Sequence, residues 1–68
     1  MATHYEILGI SQTATPAEIR EAWRQRCLET HPDKAGNTPE NNAKFSAVQN
    51  AYETLSEPAR RVLYDQQL

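Results

Sequence analysis

His31, Pro32 and Asp33 set an imidazole and a carboxylate two residues apart around a proline. Proline disfavours the α region for the residue before it, which pushes His31 out of the preceding helix. The pyrrolidine ring then fixes φ at Pro32. The pair is expected on an exposed turn. A Gly-Asn or Asp-Gly turn would join two helices more simply, so the tripeptide points to function. Catalysis by His31 and Asp33 would need a nucleophile and a concave site beside them. A loop on so small a chain offers neither. A calcium loop begun at Asp33 would need oxygen ligands at its first, third and fifth positions and a glutamate at its twelfth. Those positions hold Asp33, Ala35, Asn37 and Lys44, with Gly36 misplaced. A zinc site from His4, Cys27, His31 and Asp33 has no ligand-pair spacing to support it. Enzyme chemistry, a metal and a cofactor are therefore not expected at the tripeptide.

Four helices are expected to position this turn, at about 4–9, 16–30, 39–55 and 58–66. Thr3 with Glu6 and Thr15 with Glu18 read as capping boxes. Pro16 falls at the first helical position, where its missing N–H costs nothing. Thr38-Pro39-Glu40 repeats that start, and Ser56-Glu57-Pro58 reads as the cap of the last helix. Gly9 ends the first helix. On the second helix Ile19, Ala22, Trp23 and Cys27 form one apolar stripe. Arg20 and Arg24 form one edge at i,i+4, and like charges at that spacing repel slightly. They point to an anionic partner, although Glu21 beside both also fits a solvated face. Arg26 breaks the stripe and is expected to lay its stem on the core with its head outward. Leu28 is a contact residue or an exposed leucine.

On the third helix Phe45, Val48, Tyr52 and Leu55 read as a core stripe. Facing it against Ile19, Trp23 and Cys27 makes an antiparallel hairpin with His31-Pro32-Asp33 at its tip. Tyr5 and Leu8 are expected to cover one end, and Val62, Leu63 or Tyr64 the other. The loop through Lys34, Ala35, Gly36 and Asn37 is expected to be polar and flexible. His4 reads as an ordinary surface residue.

Sixty-eight residues make one domain, near the lower size limit for an unassisted core. The net charge of −2 argues against nucleic-acid binding. A single cysteine, Cys27, excludes an internal disulfide and any CxxC metal site, and it reads as a small core residue. No apolar run is long enough to span a membrane, and no signal peptide is visible. The expectation is a monomeric, cytoplasmic, all-α domain, either complete or excised from a longer chain.

Taken in order, these residues resemble the J-domain, the signature module of the DnaJ (40-kDa heat-shock) co-chaperones. The likeness runs through Tyr5-Glu6-Ile7-Leu8-Gly9-Ile10, Ile19-Arg20-Glu21-Ala22-Trp23-Arg24 and His31-Pro32-Asp33-Lys34. It continues through Lys44-Phe45, Ala51 to Pro58, Arg60-Arg61 and Tyr64-Asp65. The resemblance implies a four-helix fold that binds a 70-kDa heat-shock chaperone of the DnaK type and stimulates its ATP hydrolysis. It assigns the working motif to His31, Pro32 and Asp33, and a basic partner-binding surface to Arg20, Arg24, Arg26 and Lys34. In the family that surface meets the ATPase domain, and the turn reaches the seam near the interdomain linker. The alternative is a degenerate J-like module that binds without stimulation.

The chain departs from the family pattern in its second helix. Residues 16–30 hold three arginines and three glutamates, where typical members are strongly basic. Glu21, Gln25 and Glu29 stand where lysine or arginine is usual. Trp23 replaces a tyrosine, Arg26 a core leucine, and Thr30 the aromatic before the motif. Weaker electrostatic steering is expected.

Overall fold

Thr15 opens the second helix with a two-way cap. Its hydroxyl accepts from the Glu18 N–H at 3.2 Å, and the Glu18 carboxylate accepts from the Thr15 N–H at 2.8 Å. This complete capping box starts one of five helices in the computed structural model, which describes residues 2–68. The helices are α1 (His4–Leu8), α2 (Pro16–Thr30), α3 (Pro32–Ala35), α4 (Pro39–Leu55) and α5 (Pro58–Gln67). No strand occurs among the described residues. The fold is all-α, with four main helices and one short turn, α3, inside the expected loop. Helix α1 stops at Leu8, one residue short of the expected end, because Gly9 turns left-handed at φ 71°. That angle is what requires glycine there; the Arg26 guanidinium, which lies where a Gly9 side chain would project, is the mobile end of a flexible side chain.

Thr3 and Thr38 cap α1 and α4, each hydroxyl accepting an N–H at 3.1 Å. In the first case Glu6 answers through the Thr3 hydroxyl rather than its backbone, so the box is only half made. Ser56 does not cap α5. It closes α4 by donating its N–H to the Tyr52 carbonyl, and Glu57 stands at the α5 N-cap without a side-chain bond.

Helices α2 and α4 run antiparallel. Trp23 stacks on Tyr52 with centroids 4.2 Å apart and donates its indole N–H to Gln49 at 2.8 Å. At the other end, Thr30 and His31 meet Asn41 and Phe45. The core gathers Tyr5, Leu8, Ala14, Ile19, Val48, Ala51 and Leu55. Ile19 and Ala51 are fully buried. Ala51, absent from the expected stripe, is small enough to seat α1 and α2 close to α4.

Four expectations about packing need correction. Phe45 is only half-buried and lies outside the core cluster. It packs edge-on against His31, with centroids 5.5 Å apart. Val62 and Leu63 stay exposed at 57% and 61%. The inward face of α5 is polar instead: Arg61, Tyr64 and Asp65, at i, i+3 and i+4. Tyr64 lies beside Tyr5 rather than at the opposite end, because its hydroxyl accepts the His4 N–H at 2.9 Å. His4 is half-buried and stacked on Tyr64 at 4.4 Å.

Candidate functional site

Between α2 and α4 the chain turns through α3, and His31 organises the turn. Its N–H donates to the Cys27 carbonyl at 2.9 Å, closing α2. Its φ and ψ of −59° and 131° are extended, as a residue before proline requires. Its ring Nδ1 accepts from the Asp33 N–H at 3.2 Å. Its carbonyl takes the Lys34 and Ala35 N–H groups, each at 2.9 Å. One histidine therefore ends α2, caps α3 and accepts its first bonds. The loop expected to be flexible opens on a hydrogen-bonded turn. Gly36 ends it at φ 102°, a backbone angle that favours glycine.

The Asp33 side chain is 90% exposed. Its carboxylate has no hydrogen-bond partner among the described residues. The nearest cationic candidate, His31 Nδ1, is 3.8 Å from Oδ2, too far for a hydrogen bond. Asp33 thus holds a free charge in water on a fixed turn. Asn41 on α4 meets the same segment from beneath. Its Nδ2 donates to the Thr30 carbonyl at 2.6 Å and to the Gly36 carbonyl at 3.1 Å. Sequence reading passed over Asn41. Its only signal was a polar residue at the third position of α4, which also fits ordinary helix-start chemistry.

The structure brings Arg24, His31, Asp33 and Lys34 around one groove of about 400 Å³. Trp23, Cys27 and Leu28 supply its apolar lining. Leu28, 47% exposed, is therefore a groove residue. Burial pushes the Cys27 thiol up, partly opposed by a hydrogen bond involving Trp23. Arg20 lies one turn before Arg24 on α2, since residues four apart share a face. Arg24 is not free. Its Nη2 and Nε contact the two Glu21 carboxylate oxygens at 2.9 and 3.2 Å. Hydrogen bonding to Arg24 lowers the Glu21 pKa, and the same pair raises that of Arg24.

Arg26 is not part of this cluster. Two residues along a helix rotate a side chain by about 200°, which carries Arg26 to the other side of α2. There its Nη1 bonds Glu29 at 2.8 Å, and its head lies over Gly9. The four groups weighed for zinc are not assembled either. His4 is on Tyr64, and no group of three or more His, Cys, Asp or Glu is placed to hold a metal among the described residues. No described helix is long and apolar enough to cross a membrane.

Comparison with known proteins agrees with this architecture. The family model of the DnaJ domain matches residues 3–65. Protein CAJ1 of Saccharomyces cerevisiae is 52% identical over 63 residues, covering 93% of this chain and 16% of that protein. DnaJ homolog subfamily B member 8 of Homo sapiens is 46% identical over 66 residues, covering 96% and 28%. Chaperone protein DnaJ of Salinibacter ruber is 43% identical over 63 residues, covering 93% and 16%. The chain thus spans less than a third of the length of these relatives. Among solved structures, the J-Trx1 fragment of ERdj5 superposes with a TM-score of 0.89 at 38% identity. That match covers 96% of this chain and 32% of the fragment. With nearly its whole length inside the family model, and its helices around the His-Pro-Asp turn superposing on a solved relative, the chain belongs to the DnaJ-domain family of co-chaperone modules.

Proposed function

We propose that this domain binds a 70-kDa heat-shock chaperone of the DnaK type and stimulates its ATP hydrolysis through His31, Pro32 and Asp33. The observation that carries the reading is the Asp33 carboxylate: exposed, unpaired among the described residues, and held on a turn fixed by hydrogen bonds. Such a group accepts a charge-assisted bond, bidentate from an arginine, without first breaking a contact of its own. Arg20, Arg24 and Lys34 supply a cationic margin that steers encounter with an acidic surface and sets register. Contacts stronger in the hydrolysis-competent state of the partner shift it toward that state. The domain itself performs no bond chemistry. Arg26, on the far side of α2 and bonded to Glu29, lies apart from this margin.

The Glu21–Arg24 pair favours a second reading, in which the chain is a J-like interaction module that no longer stimulates. Single-turnover ATP hydrolysis by a purified DnaK-type chaperone separates the two. Stimulation that Asp33→Asn loses is the expected result. No stimulation across several such chaperones would leave only the second reading.

A further inference from the structure

We propose that Asn41 is the positioning residue of the His-Pro-Asp turn, one carboxamide on α4 that ties both ends of the segment and so sets how Asp33 is presented. The inference deepens the functional reading above and rests on it for the partner. Both amide hydrogens of Asn41 are used, one on the Thr30 carbonyl and one on the Gly36 carbonyl. Thr30 is the last residue of α2, and Gly36 closes α3. These are carbonyls that helix ends leave without an intrahelical donor. The orientation of the amide is determined, because the reverse one would set its oxygen against two carbonyl oxygens. Asn41 is itself held, half-buried on α4, with its N–H on the Thr38 hydroxyl at 3.1 Å. One turn further on, Phe45 supports the His31 ring. Helix α4 thus grips the turn at both carbonyl ends and at its histidine. The ordering that a partner would otherwise impose on six residues is already present in the free domain.

The test compares Asn41→Ala and Asn41→Asp with two controls. Asn42→Ala removes an exposed bond to Asn37 alone. Thr15→Ala lowers stability at the far end of α2 by deleting its cap. The first readout uses the domain by itself: heteronuclear NOE and amide exchange at residues 31–36. The second is the domain concentration giving half-maximal single-turnover hydrolysis by a DnaK-type chaperone. Asn41→Ala is expected to lower the NOE at Asp33 and Lys34. It should raise the half-maximal concentration about five- to tenfold while the maximal rate stays near wild type. Asn41→Asp, which puts an acceptor against two acceptors, should lose at least as much. Both controls should leave the turn as it is, even where Thr15→Ala lowers Tm. A wild-type NOE in Asn41→Ala, or an equal loosening in Thr15→Ala, overturns the proposal. If the wild-type domain stimulates no chaperone, the functional reading fails, and the NOE and exchange data still decide whether Asn41 is the clamp.

Discussion

Asp33 holds its charge in water and supports nothing else through its side chain, so Asp33→Asn changes a partner contact and little more. Stimulation should disappear while Tm moves by no more than about 1–2 °C, measured by thermal melts beside the hydrolysis assay. His31 differs, because its ring also caps α3 and packs on Phe45. His31→Gln should lose stimulation and also about 0.5–1 kcal/mol of stability. Phe45 shows why spacing alone misplaced a residue. Its periodicity matches the core stripe, but it sits at the turn end of α4, where its ring packs on His31 outside the core cluster. Phe45→Ala should cost about 1–2 kcal/mol in urea denaturation, not the 3–5 kcal/mol of a fully buried phenylalanine. A folded Phe45→Ala domain with a weakened partner contact is the expected outcome.

Within α2, the balance of charges sets how much of the cationic edge a partner can use. Glu21 holds Arg24 in a two-point pair on an exposed face, where such pairs add little stability. Glu21→Gln should therefore leave Tm nearly unchanged and tighten binding to the chaperone. Arg24→Glu should weaken it, and both effects should shrink as salt rises. Binding isotherms at two ionic strengths check this; affinities equal to wild type would remove Arg24 from the interface. Between α1 and α5, the His4–Tyr64 stack gives a pH dependence of known sign. Burial lowers the His4 pKa from its ordinary 6.5, and its Nδ1 is buried without a partner among the described residues. The unfolded chain takes up this proton first as pH falls through 6.5, so it binds more protons than the folded state there. This contribution is present above that pH and is lost below it. Tm should fall between pH 7 and 5.5, and His4→Phe, which keeps an aromatic on Tyr64, should flatten that part of the profile.

Across the whole molecule, α5 is docked by polar groups rather than by its exposed valine and leucine. Arg61 donates to the Tyr5 hydroxyl at 3.1 Å and to the Gln12 and Ala14 carbonyls at 3.1 and 2.7 Å. Tyr5 in turn donates to Asp65 at 2.6 Å. Burial and this bond push the Tyr5 phenol up, against the opposing influence of Arg61. One guanidinium thus joins α5 to α1 and to the α1–α2 loop. Arg61→Met should lower stability by about 1.5–3 kcal/mol, read from urea denaturation, with α5 amides losing protection first. A domain of this size has a margin of only roughly 3–5 kcal/mol, so that change removes a large part of it.

The sequence by itself determined the features whose causes are local. Hydroxyl caps and prolines mark the helix starts, Gly9 requires a left-handed angle, and Pro32 takes His31 out of α2. Apolar spacing was enough to pair α2 with α4 and place the turn at their tip. The tertiary structure alone decided which polar residues become joints. Asn41, Arg61 and Asp65 look like surface residues until α4 and α5 bring them against carbonyls and hydroxyls of other elements. It also decided that Arg24 and Lys34 share the groove with Asp33 while Arg26 faces α1. Periodicity records whether a side chain is apolar, and hydrogen-bond partners exist only once the helices are packed.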